Sequence, residues 1–142
     1  MKTLEGKFFE TRVTSLKTFE DGLAKKVKET FAVRAESFAE CEQRITETLK
    51  DYQYEDFAVL RETICPYQVI LLSDKDCDYF RVKFGIIMLD ETSGKEKTIY
   101  RYVLVAANTL EQARQMVDEF VSQTGMEFTI DAVVKSPVVD II

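Results

Sequence analysis

The sequence has no histidine, and this absence excludes more kinds of chemistry than any other feature of its 142 residues. Without an imidazole the chain cannot form a Ser-His-Asp triad, a Cys-His dyad or a histidine-ligated metal site. Only five glycines occur, all of them isolated, so the glycine-rich loops that cradle phosphates are missing as well. We therefore expect a protein that is not an enzyme and that carries no cofactor.

Long hydrophobic runs are also missing. The longest, at residues 84–89 and 102–107, span about six residues, whereas a membrane-crossing helix needs about 18. The start of the chain lacks the basic and apolar regions of a secretory signal. The three cysteines, Cys41, Cys65 and Cys77, are an odd number without CxxC spacing, which favours reduced thiols over disulfides. We expect a cytoplasmic protein that has no membrane partner.

The composition is that of a globular protein whose two halves resemble each other. Hydrophobic residues make up 46% of the chain and charged residues 31%, which is enough for a core. Residues 8–71 align with residues 79–142 at an offset of 71 or 72, so that Pro66 meets Pro137. Both halves have the same order of elements, namely a strand, a glycine turn, a second strand, a capped helix and two short strands split by proline. This pattern predicts an internal repeat.

The hairpin signal is strongest in the second half. Apolar residues alternate with polar ones from Phe80 to Met88, which is typical of a half-buried strand. Gly94 supplies the positive φ angle of a turn, and Thr98 to Ala107 reads as the return strand. The first half repeats this pattern more weakly around Gly22.

Each hairpin is followed by a capping box, a motif that starts a helix. The motifs are Ser37-Phe38-Ala39-Glu40 and Thr109-Leu110-Glu111-Gln112. We expect the hydroxyl to accept the third residue's amide proton and the Glu or Gln to bond the cap amide. The helices should run to about Asp51 and Thr124, with apolar stripes of Phe38, Cys41, Ile45 and Leu49 and of Leu110, Ala113, Val117 and Val121. Strands are predicted at 57–64 and 128–135, with further extended segments at 67–71 and 138–142.

These elements predict an α+β fold made of two tandem ββαββ repeats. One repeat with a single amphipathic helix would bury little core. We therefore expect one domain, residues 1–142, in which both repeats share a mainly antiparallel sheet with both helices on one face, related by a pseudo-twofold axis. Residues 72–78 are the connector. Two separate small domains are the alternative.

The residues also resemble a known family. The resemblance lies in Phe8-Phe9-Glu10-Thr11-Arg12-Val13, in Glu20-Asp21-Gly22 with Lys25-Lys26-Val27, in Ala35-Glu36-Ser37-Phe38-Ala39-Glu40 and in Ser136-Pro137-Val138-Val139-Asp140. The family is an uncharacterised domain of unknown function found in short proteins of gut bacteria and their phages or mobile elements. The resemblance covers nearly the whole chain. It implies an intracellular protein and transfers no catalytic or binding residue.

The candidate metal ligands form an incomplete motif. Asp74, Asp76 and Asp78 have the spacing that opens a calcium loop, but Tyr79 stands where glycine is required and Gly85 where a bidentate glutamate belongs. The ordinary interpretation is a solvated connector, and we expect no metal site.

The charges suggest one candidate surface. The chain has a net charge of -6, yet residues 7–34 carry seven basic and four acidic side chains, and residues 79–107 carry five and three. The basic hairpins could bind an anion through Arg12, Lys25, Lys26, Lys28, Arg81, Lys83 and Lys97. Lysines that protect strand edges are the simpler explanation, and the acidic net charge makes nucleic acid an unfavourable partner.

A second candidate surface is apolar. The face of the second hairpin that points away from the helices should carry Ile87, Leu89, Tyr100, Tyr102 and Leu104, where the first hairpin has mainly polar residues. A tyrosine-rich face with no chain left to cover it indicates a partner surface, and a homodimer is the simplest case. The alternative is that residues 138–142 fold over it.

The sequence thus predicts a nonenzymatic protein-interaction module that binds a second copy or another protein. The alternative is a binder of small anionic ligands or nucleic acid that serves as an accessory protein of a phage or mobile element.

Overall fold

The computed structural model describes residues 1–73 and 77–142 and shows an α+β fold with two helices and two mixed β-sheets. The helices are α1 (Phe38–Asp51) and α2 (Leu110–Ser122). The strands in these residues are β1 (Lys2–Glu5), β2 (Phe8–Thr18), β3 (Ala24–Arg34), β4 (Glu55–Ile64), β5 (Val69–Leu72), β6 (Asp78–Leu89), β7 (Glu96–Ala107), β8 (Phe128–Lys135) and β9 (Val138–Ile141).

The chain divides into two compact units, and prolines stand at two of the boundaries. One unit consists of residues 1–5 and 66–136, and the other of residues 6–65 and 137–142. Proline has no N–H to donate to a strand ladder. The strand after Pro66 or Pro137 accordingly pairs in a different sheet from the strand before it.

The first unit contains the five-stranded sheet, with strand order β1-β5-β7-β6-β8. β6 and β7 form a long antiparallel hairpin in which Gly85 lies opposite Tyr100. β8 pairs antiparallel with β6. On the other side, β5 pairs in parallel with β7 at Leu104 and Val105, and β1 follows as the outer strand.

The second unit contains the four-stranded sheet, with strand order β4-β2-β3-β9. β2 lies between β3 and β4 in antiparallel pairing. β9 pairs in parallel with β3 near Thr30 to Ala32. The C-terminal residues therefore form a strand beside β3, which differs from the alternative that they cover the tyrosine-rich face.

The single sheet expected from the sequence is wrong, because the structure has two sheets. Each helix also packs against its own sheet, α2 on β6, β7 and β8 and α1 on β2, β3 and β4. The physical reason is the chain direction after Pro66 and Pro137. β5 follows the hairpin of β2 and β3 but pairs with β7, and β9 follows the hairpin of β6 and β7 but pairs with β3. Each hairpin thus gains a parallel strand from the other half of the chain, and the two hairpins lie in separate sheets.

Both helices begin as predicted, with one difference. The hydroxyls of Ser37 and Thr109 accept hydrogen bonds from the third residue's amide at 3.1 and 3.0 Å. The side chains of Glu40 and Gln112 accept hydrogen bonds from the backbone N–H of the residue before the cap rather than from the cap itself. These residues are Glu36 for Glu40 and Asn108 for Gln112. The same arrangement at both helix starts satisfies amides that would otherwise lack partners.

Each unit has its own apolar core beneath its helix. α2 contributes Ala113, Val117 and Val121, and α1 contributes Cys41, Ile45 and Leu49. The predicted first members of both stripes, Phe38 and Leu110, are instead about half exposed, although the Phe38 ring still packs edge-on against Phe9. Within the described ranges, neither helix has the length and apolar character needed to cross a membrane.

Candidate interaction site

The predicted apolar residues of the second hairpin lie on the outer face of the five-stranded sheet, opposite α2. Tyr100 and Leu89 are exposed, at 50% and 66%, and Tyr102 and Ile87 are partly buried. We call these four residues the tyrosine face. Alternation places them together, because side chains two apart along a strand share a face.

Leu104 does not belong to the exposed surface. It was predicted beside Tyr102, and the structure places it at 0% exposure. It lies between Arg81 of β6 and Ile70 of β5 in the central part of the sheet. Local alternation gives no signal for this burial, since it shows which face of the sheet a side chain occupies and not what covers that face.

Two cations lie on the same face as the tyrosines. Lys83 Nζ is 4.6 Å from the ring centroid of Tyr100, and the Arg81 guanidinium carbon is 5.7 Å from that of Tyr102. Such cation–π contacts hold both partners in place and contribute about 0.5–1 kcal/mol at exposed sites. The apolar and the basic candidates, which the sequence suggested as separate surfaces, therefore meet at Arg81, Lys83, Tyr100 and Tyr102.

Gly85 allows Tyr100 to lie across the neighbouring strand. A Cβ atom at position 85 would come within 2.7 Å of Thr98 Cγ2 and 3.3 Å of Tyr100 Cε1. The missing side chain thus leaves the space that the ring and the threonine methyl group occupy. This packing fixes the tyrosine against the sheet.

A groove runs beside the tyrosine face along β7. In the described part of the chain, β5 pairs with β7 only at Leu104 and Val105, so residues 96–103 have β6 as their one ladder partner. We call these residues the free edge. The groove has a volume of about 670 Å³, and its lining includes Tyr100, Tyr102, Phe84, Val103 and Phe120. The groove thus combines the backbone groups of a strand edge with a lining that is mainly aromatic and aliphatic.

Lys97 and Arg101 lie on the helix side of β7, away from Arg81 and Lys83, by strand alternation. Lys97 is therefore not a neighbour of the cations with which it was grouped. Arg101 Nη1 donates to the carbonyl oxygen of Tyr100 at 3.0 Å. A charged side chain on an edge strand disfavours indiscriminate pairing of that edge with other chains.

The basic residues of the first hairpin gather in the second unit. Arg12, Lys26 and Lys28 share the outer face of the four-stranded sheet, whereas Lys25 lies on the helix side, 5.8 Å from the Phe19 ring centroid. Arg61, which the sequence analysis missed, lies opposite Arg12. The register shift next to this pair moves Arg61 to the outer face, and simple alternation after Phe57 and Val59 gives no signal for it. We call Arg12, Lys26, Lys28 and Arg61 the basic face.

Among the described residues none of the cations of the basic face forms an ion pair, whereas Lys135 Nζ and Asp78 Oδ2 form a salt bridge 3.6 Å apart. Asp74 and Asp76 of the calcium-like motif lie outside the described residues. Within the described ranges, no group of three metal-ligating side chains occurs.

The buried thiol of Cys41 lies on the face of α1 that packs against the four-stranded sheet, with Thr11 and Glu62 nearby. Thr11 Oγ1 is 3.2 Å from Cys41 Sγ, and burial raises the pKa of this thiol above its ordinary value. A thiol with a raised pKa is a poor nucleophile at neutral pH. Burial, with the charge of Glu42, also raises the pKa of the Glu62 carboxyl group, whose Oε1 has no hydrogen-bond partner.

The comparisons with known proteins give one match. Residues 7–142 match the family described as a domain of unknown function (DUF4494). No curated protein and no solved structure matches the chain. The resemblance to a domain of unknown function is thus confirmed, while the gut-bacterial or phage origin stays an expectation. Because the match covers nearly every residue, the chain belongs to the DUF4494 family.

Proposed function

We propose that the protein is a nonenzymatic interaction module of the cytoplasm that binds a protein partner through the tyrosine face. The observation that carries this proposal is the joint placement of Tyr100 and Tyr102 with Lys83 and Arg81 on one exposed sheet face. Tyrosine and arginine are enriched at the energetic centres of protein interfaces. Rings held against the sheet also lose little conformational entropy on binding.

The simplest partner is a second copy of the chain, as the sequence predicts. Two copies that meet through the tyrosine face would also bring Arg81 and Lys83 of each copy together. Since like charges repel and salt screens exposed charges, we expect self-association to strengthen as the salt concentration rises. Interfaces dominated by opposite charges show the reverse trend.

The experiment is sedimentation equilibrium of Tyr102→Ala beside the unaltered protein. Truncating a central tyrosine costs about 2 kcal/mol of association, which corresponds to a roughly thirtyfold weaker constant. Tyr52→Ala is the matched control, because Tyr52 is 58% exposed and lies outside this face. A folded Tyr102→Ala protein that associates like the unaltered protein would contradict self-association through these residues.

The second candidate function is anion binding by the basic face. Four cations on one sheet surface, with no ion-pair partner among the described residues, support it. The ligand would be a small anion or a nucleic acid, and the protein would serve as an accessory of a phage or mobile element. Fluorescence anisotropy with a labelled single-stranded oligonucleotide, and calorimetry with inorganic phosphate, test the two ligands. We expect Arg12→Glu to abolish binding and Lys17→Glu, on the other side of β2, to preserve it.

The chain is also proposed to be two ββαββ repeats, 8–71 and 79–142, with pseudo-twofold symmetry. The equal order of elements, the two similar helix caps and the parallel pairing of β5 with β7 and of β9 with β3 support this. In this proposal the last strand of each repeat completes the hairpin of the other.

A further inference from the structure

The free edge of β7 leaves a gap in the five-stranded sheet. β5 has four residues, Val69–Leu72, whereas β7 has twelve. Val69, the first residue of β5, and Pro66 and Gln68, which precede it, also line the groove beside the free edge. An extended segment placed there would pair with the backbone of β7, as a strand added to a sheet edge does.

The two sides of this gap have different chemistry. On the helix side the groove is lined mainly by the apolar residues Phe84, Val103 and Phe120 and also by Arg101, whose Nη1 donates to the Tyr100 carbonyl oxygen. On the outer side lie Tyr100 and Tyr102, with Lys83 and Arg81 held against their rings. Side chains of an added strand alternate between the two sides. The complementary segment therefore alternates apolar residues, which face the groove, with acidic residues, which face the cations.

A second copy of β7 fits this gap poorly. Its own alternation would place Lys97 and Arg101 on the apolar side, and its outer positions, Tyr100 and Tyr102 among them, carry no acid beyond Glu96. Charge complementarity thus favours an acidic segment of another protein at this edge.

We propose that the free edge of β7 binds an extended acidic segment of a partner protein, with alternating acidic and apolar residues, as an added strand. This inference rests on the proposed function, because it uses the same tyrosines. It adds the binding mode and the chemistry of the partner, which exposure of the tyrosine face alone does not give.

The test uses a fluorescein-labelled peptide, as long as the free edge, in which glutamate and valine alternate. Its binding to the full chain is measured by fluorescence anisotropy, and its position by amide chemical-shift changes. We expect the shifts to concentrate in β7. A peptide with lysine in place of glutamate, and one with the same composition in two blocks, should each bind at least about tenfold more weakly, the effect of about 1.4 kcal/mol.

Two further peptides test the strand pairing. Each carries backbone N-methyl groups on one of the two alternating sets of residues. Only one set of amides can face β7 in an added strand, so one peptide should lose binding and the other should keep it. Equal loss, or no loss, would overturn strand addition.

Protein variants separate the inference from the proposed function. Lys83→Glu should weaken the acidic peptide at least about tenfold, whereas Lys17→Glu, far from the groove in the sequence and in the other unit, should not. If the acidic peptide fails to bind or the lysine peptide binds equally well, the inference is wrong. The proposed function then still stands if Tyr102→Ala weakens self-association, and both fall if it does not.

Discussion

Tyr100 and Tyr52 are similarly exposed tyrosines in different settings. Tyr100 lies over Gly85 with Lys83 4.6 Å from its ring centroid, whereas Tyr52 follows the last residue of α1. Exposure alone therefore does not single out Tyr100 as the candidate for the proposed binding. The neighbours that hold the ring do, because a fixed ring loses less entropy when a partner binds.

Glu62 gives a pH prediction at the scale of one residue. Burial raises the pKa of its carboxyl group above the ordinary value of 4.5. The folded protein therefore binds this proton more tightly than the unfolded chain does. Its stability falls as the pH rises from the ordinary pKa of the unfolded chain through the raised pKa of the folded state. Glu62→Gln removes the charge, so we expect it to raise the free energy of unfolding at neutral pH by about 1 kcal/mol or less.

The measurement is thermal unfolding at two pH values, one neutral and one below the ordinary glutamate pKa. At the lower pH the stability gained by Glu62→Gln should shrink, because the carboxyl group of the unaltered protein is already protonated there. Glu91→Gln, in the exposed turn between β6 and β7, is the control. A gain that is independent of pH would contradict the assignment to the ionised carboxylate.

At the scale of elements, β6 and β7 depend on one close approach. A Cβ atom at position 85 would come within 2.7 Å of Thr98 Cγ2 and 3.2 Å of Thr129 Oγ1. We expect Gly85→Ala to lower the free energy of unfolding by about 1–3 kcal/mol, the usual cost of overpacking. It should also move the Tyr100 ring and weaken partner binding.

A second substitution tests the cause. Thr98→Ser removes the methyl carbon that the new Cβ would meet, so the double variant should recover part of the lost stability. Denaturant unfolding of both single variants and the double variant measures the coupling. Additive effects would show that the contact with Thr98 is not the source of the cost.

The helices illustrate what local sequence can determine. The capping boxes at Ser37 and Thr109 predicted both helix starts, because their hydrogen bonds span only a few residues. The strands at 57–64 and 128–135 were likewise found close to their observed bounds, Glu55–Ile64 and Phe128–Lys135. β1 was not predicted, since its four residues have no alternating pattern and are ordered by pairing with β5.

At the scale of the whole molecule, the end of the chain completes the unit that contains most of its beginning. β9 pairs with β3, and Val138 is 5% exposed. Val138→Asp would bury a carboxylate and should cost at least about 2 kcal/mol. Hydrogen exchange should then show loss of amide protection in β3 before β7, since β7 belongs to the other unit.

The control for this prediction is Val139→Asp, because Val139 is 49% exposed and a surface substitution usually changes stability by under about 0.5 kcal/mol. Val138→Ala is a milder variant that keeps the test usable if Val138→Asp does not fold. Equal loss of protection in β3 and β7 would show that the two units unfold together.

The sequence by itself determined the α+β class, both helices with their caps, the long hairpins and the family. These features depend on residues a few positions apart, through alternation, capping and turn glycines. Only the tertiary structure decided that there are two sheets, that Leu104 is buried and that Arg61 joins the basic face. The number of sheets and the position of Arg61 depend on pairing between distant segments, where a parallel strand changes the sheet and a one-residue register shift changes the face. Leu104 keeps its predicted face, and local alternation does not show what covers it.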